Sequence, residues 1–202
     1  METKFNSDER KRIREGIRQK YTKVAISPEG NFQYPTGEDG LKGQDYNPEI
    51  LKKLPGDILA SYCGVGNPFS LGTIDEGDTV LDIGCGAGVD TLIAATMVGP
   101  KGRVVGIDLI SEMLEQAREN LRKTSLNNVS FQEVSAEGLP FTDASFGAVI
   151  SNGVFNLIPD KVKALKEVLR VLRPLGRFMI ADQVLTVKPP EEPRSMVENW
   201  AR

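Results

Sequence analysis

The sequence contains no histidine. That absence excludes histidine-based nucleophilic triads, imidazole general bases and zinc sites built on imidazole. Cysteine is scarce as well. Cys63 and Cys85 are the only two, and their spacing fits neither a paired redox motif nor a zinc motif, so no metal site is expected. Long apolar runs are missing: none approaches the ~20 residues that a membrane span needs. The opening METKFNSDERKRIREG is too charged to be the apolar core of a secretory signal. A cytoplasmic protein with reduced thiols and no membrane partner is the expectation. Excess positive charge is lacking too. A net charge of -3 and a pI near 5.2 argue against electrostatic binding of nucleic acid.

What is present suffices for a globular core: 202 residues, 40% hydrophobic and 26% charged, point to one structural domain. Residues 1–70 read as a helical N-terminal lid. Ile13, Ile17, Tyr21 and Val24 recur at helical spacing, with Arg and Lys on the opposite face, so a helix is predicted over 8–25. Residues 26–46, rich in glycine, proline and polar groups, are expected to form a loop. Asn47-Pro48-Glu49 has the pattern of a cap, a first-turn proline and an early acid, opening a short helix to Leu54. A second short helix is expected after Pro55-Gly56.

Residues 71–202 have a different grammar. Short apolar runs at 79–83, 103–108, 129–131, 146–150 and 178–181 alternate with helical stretches, one capped by Ser111 and one marked by Leu165, Val168, Leu169 and Leu172. Continuous apolar strands alternating with helices predict an α/β fold, a doubly wound, mostly parallel sheet covered on both faces.

The segment Asp82-Ile83-Gly84-Cys85-Gly86-Ala87-Gly88 follows the first strand and opens a helix. Glycines there permit a tight turn and close approach of a ligand to the backbone. Asp108, at the end of the second strand, is placed to accept the two hydroxyls of a ribose. NAD and S-adenosylmethionine share these features. Val89, where a dinucleotide fingerprint has Gly or Ala, and the carboxylate of Asp82 inside the turn favour a ligand with a cationic amino group over one with a pyrophosphate. Cys85 reads as a small packing residue of the turn rather than a nucleophile.

With these motifs on view, VLDIGCGAGVD, VVGIDLISEMLEQAREN and LPFTDASFGAVISN resemble the successive motifs of class I S-adenosylmethionine-dependent methyltransferases. QKYTKVA, GVGNP, SNGVFNLIPDK and RVLRPLGRFMIADQV are similar to the arsenite methyltransferase family in particular. The resemblance implies that S-adenosyl-L-methionine is the cofactor. Asp82, Gly84, Cys85, Gly86 and Gly88 would hold its methionine end, Asp108 the ribose, and Leu109, Ala136 and Glu137 the adenine. Ser151 and Asn152 would face the methyl group and the substrate. Leu109 fits equally well as core, and Glu137 as a solvated acid at a helix start.

The departures bear on the acceptor. The resemblance places arsenic-binding thiolates at positions that are Val65 and Gly153 here, and a third beyond the ENWAR segment. Cys63 alone cannot supply the three sulfur ligands of As(III). Tyr62, Cys63, Val65 and Gly153 are therefore candidate substrate residues for a small-molecule acceptor other than arsenite. No catalytic base is identified: an acid, a tyrosine such as Tyr62, or no base at all would serve. A remnant that binds cofactor without catalysis, and a nicotinamide-dependent oxidoreductase, remain the alternatives. Leu175 replaces a glycine of a PGG turn and is expected to be strained if the turn needs a positive φ. The usual two strands beyond the fifth are not found. Thr186 to Pro193 carries three prolines, and 194–202 reads as a short helix. Strand five would then be an apolar edge, covered by the C-terminal helix, paired in a homodimer, or left open because the chain is a fragment.

Overall fold

The computed structural model of the protein describes residues 5–184, together with Thr186, Val197 and Trp200. Its centre is a sheet of five parallel strands: β1 Thr79–Ile83, β2 Arg103–Asp108, β3 Val129–Glu133, β4 Phe146–Asn152 and β5 Leu172–Ala181, in the order β3-β2-β1-β4-β5. Successive strand residues face opposite ways. Val80, Val104, Ala148, Ile150 and Met179 pack against one helix, α5 (Val89–Val98). Leu81, Val105, Phe146 and Val149 pack on the other face against α7 (Lys161–Val171). Both faces are thus covered, which is why β1 and β2 are apolar without alternation. A further helix, α6 (Ser111–Arg122), packs along β2 and β3. The strand order reverses between β1 and its two neighbours, which opens a crevice beyond their carboxyl ends.

The first part of the chain is helical, without a described strand. α1 (Ser7–Ile26) begins at a reciprocal cap in which Asn6 and Glu9 satisfy each other's backbone N–H groups. It buries Ile13 and Val24. α3 (Pro48–Leu51) starts at Asn47 as expected but ends three residues before Leu54, and α4 (Gly56–Leu59) follows Pro55. The loop expected over 26–46 is corrected by a helix inside it, α2 (Gly37–Lys42). Two glycines in six residues give that segment little helical propensity. Tertiary contact supplies the rest: the Gly37 N–H donates to the Tyr62 carbonyl, and Gly40 lies so close to Pro35 and Tyr62 that no larger residue fits.

Three further expectations change. Ser111 does not cap α6. The cap position is Ile110, the Ser111 hydroxyl turns to Glu112, and Asp108 Oδ1 accepts the Ile110 N–H. Leu165 and Leu169 lie on the exposed flank of α7, whose buried positions are Ala164, Val168 and Val171, and Leu172 already belongs to β5. β5 is therefore longer than its apolar centre. The register with β4 slips between Leu172 and Arg177, and in the excursion Leu175 has φ +66° and is fully exposed. The outer edge of β5 has no partner strand among the described residues. The prolines of 189–193 and most of the helix expected over 194–202 lie outside the described residues. Trp200 stacks edge-on against Phe5 at 5.0 Å and donates to the Leu157 carbonyl, so it lies beside the start of α1. No described helix is long and apolar enough to cross a membrane.

Candidate functional site

The glycine turn between β1 and α5 makes three left-handed excursions, at Gly84, Gly86 and Gly88, with φ of +71°, +53° and +84°. Two of these glycines are also required sterically. A Cβ on Gly84 would fall inside the Val154 side chain, and one on Gly88 would meet Phe131 and Ala117 at 3.0–3.1 Å. Gly86 donates its N–H to Asp108 Oδ2 at 2.9 Å, which ties the turn to the end of β2. Cys85 is buried with its sulfur against Gly106, consistent with a packing role.

Above the turn lies a cleft of about 510 Å³. Gly84, Gly86, Asp108, Leu109, Ala136, Glu137, Asn152 and Gly153 all line it, with Cys63 and Val154. Leu109 is half exposed at its rim and is not core. The opposite wall is α1, which contributes Arg10, Lys11, Arg14, Arg18 and Tyr21. Sequence reasoning missed this wall, although the spacing of Arg10, Arg14 and Arg18 along one helical face was readable. A smaller recess of about 40 Å³, bordered by Tyr62, Cys63, Gly64, Asp82, Cys85 and Asp90, adjoins the turn.

The electrostatics of the site are one-sided. Asp82 and Asp90 are 2% and 7% exposed, and no Lys or Arg side chain pairs with them or with Asp108 among the described residues. Burial, then the charge of Asp90, pushes the Asp82 carboxyl up to about 8, against a hydrogen bond from Thr91 Oγ1 at 2.6 Å. Burial raises Asp90 to about 6, opposed by hydrogen bonds from Asn152 and Tyr46. Burial likewise raises Asp108, against its bonds from the Ile110 and Gly86 N–H groups. The Cys63 thiol is pushed up to about 12 by burial and by the charges of Asp108 and Asp90. Three acidic side chains, Asp108 on the cleft and Asp82 and Asp90 on the recess beside it, select a ligand that brings positive charge.

Other candidates are placed differently. Ser151 is fully buried and donates to the Ile83 carbonyl of β1, so it points into the sheet and not toward an acceptor. Glu137 is not a solvated acid. Its Oε2 accepts from Arg14 at 2.6 Å and its Oε1 from the Asp160 N–H at 2.9 Å, which clasps α1 to the start of α7. The Tyr62 hydroxyl is engaged by Gln44, by the Gly66 carbonyl and by Tyr46, and burial and Asp90 raise it further from ionisation, so it is no base near neutral pH. Val65 and Gly153 come together: a Cβ on Gly153 would lie 3.4 Å from Val65 Cγ1.

The comparisons with known proteins agree with this geometry. A methyltransferase-domain model matches residues 74–202. The chain is 38% identical over 192 residues to the arsenite methyltransferase of Halobacterium salinarum, covering 89% of this chain and 49% of that protein. It is 36% identical over 153 residues to the ubiquinone/menaquinone biosynthesis C-methyltransferase of Pasteurella multocida, covering 73% of this chain and 55% of that one. Among solved structures, an arsenic(III) S-adenosylmethionine methyltransferase from Chlamydomonas reinhardtii superposes with a TM-score of 0.56 at 35% identity, covering 74% and 50% of the two chains. The chain thus spans about half the length of these relatives. The nicotinamide alternative finds no support among them. The matched domain, the parallel sheet and the glycine turn show that this chain belongs to the methyltransferase-domain family, the S-adenosylmethionine-dependent methyltransferases of Rossmann-like fold.

Proposed function

We propose that this chain transfers the methyl group of S-adenosyl-L-methionine to a small, largely apolar organic acceptor, and that arsenite is not that acceptor. The observation that carries the reading is the set of three acidic side chains around the glycine turn, Asp82 and Asp90 buried and Asp108 partly buried, without a cationic partner among the described residues. The cofactor carries an ammonium and a sulfonium, and its charge is the complement of that field. When bound, it supplies an electrophilic methyl group that needs no further activation.

The chain's own part is then to bind, orient and exclude water. Asp108, anchored by two backbone N–H groups, presents its carboxylate to the ribose. Leu109 and Ala136 flank the adenine, and Asp82 with the turn of Gly84 and Gly86 takes the methionine end. Residues up to 70 act as the lid over the core of 71–202, with α1 closing the cleft. The acceptor stands by Cys63, Val65 and Gly153. Valine and glycine offer an As(III) ion no sulfur, and the Cys63 thiol beside them is one ligand where three are needed. The ubiquinone/menaquinone biosynthesis C-methyltransferase relative, named for methylation at carbon, supports the same class.

Calorimetric titration with S-adenosylmethionine, S-adenosylhomocysteine and NAD tests the reading. The first two should bind and NAD should not. Asp108→Ala should weaken binding by about 1.5–3 kcal/mol, the usual range for a hydrogen bond to a charged group. Tight binding of NAD would overturn the class. Binding without turnover on any acceptor of an organic panel would favour a non-catalytic cofactor-binding protein.

A further inference from the structure

The side chain of Asn152, at the carboxyl end of β4, holds residues 65 and 66 with both ends of its amide. Its Oδ1 accepts from the Val65 N–H at 2.8 Å and from the Gly66 N–H at 3.2 Å. Its Nδ2 donates to the Gly66 carbonyl at 2.7 Å and to Asp90 Oδ2 at 2.9 Å. The opposite amide orientation would set an oxygen against a carbonyl and a carboxylate, so the network admits one orientation only. Asp90, in the first turn of α5, is itself held by the Tyr46 hydroxyl, which donates to its Oδ1 at 2.7 Å. Gly64 is part of the same fit, because any side chain there would strike the Asn152 amide.

The network joins three pieces distant in sequence: the first turn of α5 beyond the glycines, the end of β4, and the cap segment that carries Cys63 and Val65. We propose that Asp90 is a positioning residue, which acts through Asn152 to fix the Cys63–Gly66 segment at its distance from the glycine turn. That segment is the wall beside which an acceptor would stand. The proposal rests on the methyl-transfer reading only for that last identification.

The groups that face Asp90 are Tyr46 and Tyr62 from the cap, Cys63 from the segment itself, Asp82 from β1 and Asn152 from β4. None is a cation. Asn152 and Tyr46 are the donors that hold the carboxylate ionised against its burial, which sets its titration at about 6. Once protonated, Asp90 turns one oxygen from acceptor to donor, and the charge-assisted bond that orients Asn152 becomes a neutral, weaker one.

Hydrogen exchange of the ligand-free 202-residue chain tests this, read as protection factors so that intrinsic pH effects cancel. In the unmodified protein, protection of the Val65 and Gly66 amides should fall severalfold as pH drops from 8 through about 6. Asp90→Asn should show the lower protection at every pH, without a midpoint. Asp90→Ala should lose roughly tenfold or more at these two amides while the β1 and β2 amides keep theirs. Tyr46→Phe, which removes one hydroxyl and no packing carbon, should fold and should shift the midpoint upward, because one bond to the ionised form is gone. A Val65 and Gly66 profile in Asp90→Asn that matches the unmodified protein would overturn the proposal. So would a loss in Asp90→Ala spread evenly over β1, β2 and β4. Failure of the protein to bind S-adenosylhomocysteine would instead strike the methyl-transfer reading and leave these exchange outcomes as they stand.

Discussion

Val65 packs against Gly153, a residue of the cleft wall, with 3.4 Å between Val65 Cγ1 and the point where a Gly153 side chain would begin. They are the two positions at which the resemblance to arsenite methyltransferases places thiolates, and Cys63 lies two residues from one of them. The unmodified protein should form no methylarsenicals from arsenite, cofactor and thiol. Val65→Cys with Gly153→Cys should bind a monosubstituted trivalent arsenical that takes two thiolates, seen as a mass addition that neither single variant shows. Gly153 has φ +71°, so the second cysteine should cost about 1–2 kcal/mol of stability. Clear arsenite turnover by the unmodified chain would show that Cys63 or added thiols suffice.

Cofactor binding should release protons. Asp82 and Asp90 titrate near 8 and 6 instead of the usual 3.8, so at pH 7 Asp82 is mostly protonated in the free protein. A ligand that brings an ammonium favours its ionised form. Calorimetry at pH 7 in buffers of different ionisation enthalpy should report release approaching roughly one proton, and little at pH 9. The same raised values bear on stability. With folded pKa values above the unfolded ones, the contribution to stability is complete below about 4 and is lost as pH rises through 6 and then 8. Thermal unfolding of the free chain should show that decline from these two groups, and bound S-adenosylhomocysteine should flatten it. A proton stoichiometry of zero at pH 7 would show that neither carboxyl changes state.

Gly84→Ala should be among the most damaging substitutions of the turn. It places a Cβ at φ +71° and inside the Val154 side chain. Strain and overpacking together should cost about 2–4 kcal/mol and abolish cofactor binding. Adding Val154→Gly should recover part of the stability, because the overlap is relieved, but not the share due to the backbone. Equal stability of the single and double variants would mean that Val154 moves aside freely.

Glu137→Gln should loosen the lid. The Glu137 carboxylate holds Arg14 of α1 and the backbone of Asp160 at once, and Arg10 of α1 reaches Asp160 at 3.5 Å. Arg14 is half exposed, so the pair adds little to global stability. Its removal should speed dissociation of S-adenosylhomocysteine roughly three- to tenfold with less change in melting temperature than in Gly84→Ala. An unchanged dissociation rate would mean that α1 does not gate the cleft.

Much of this architecture is legible in the sequence. The alternation of apolar runs and helical stretches, the glycine turn with Asp82 inside it, and Asp108 at the second strand end are local signals. Each depends on residues a few positions apart, and backbone sterics or a period of 2 or 3.6 enforces it. The strain at Leu175 was readable for the same reason. The tertiary structure alone decided what each side chain at the site faces. Ser151 and Asn152 are neighbours at one strand end, so the pleat sends the first into the sheet toward Ile83 and the second toward Val65 and Gly66. Glu137 turned out to be a clasp because α1 brings Arg14 against it, and Asp90 became part of the site because Tyr46, Asn152 and the loop at 65–66 converge on it. The short helix at 37–42 likewise exists because Tyr62 and Ala60 pack against its glycines. Partners so far apart along the chain leave no periodic trace in sequence. Burial and strand register bring them together, and the cost of leaving a buried polar group unpaired then fixes which atoms meet.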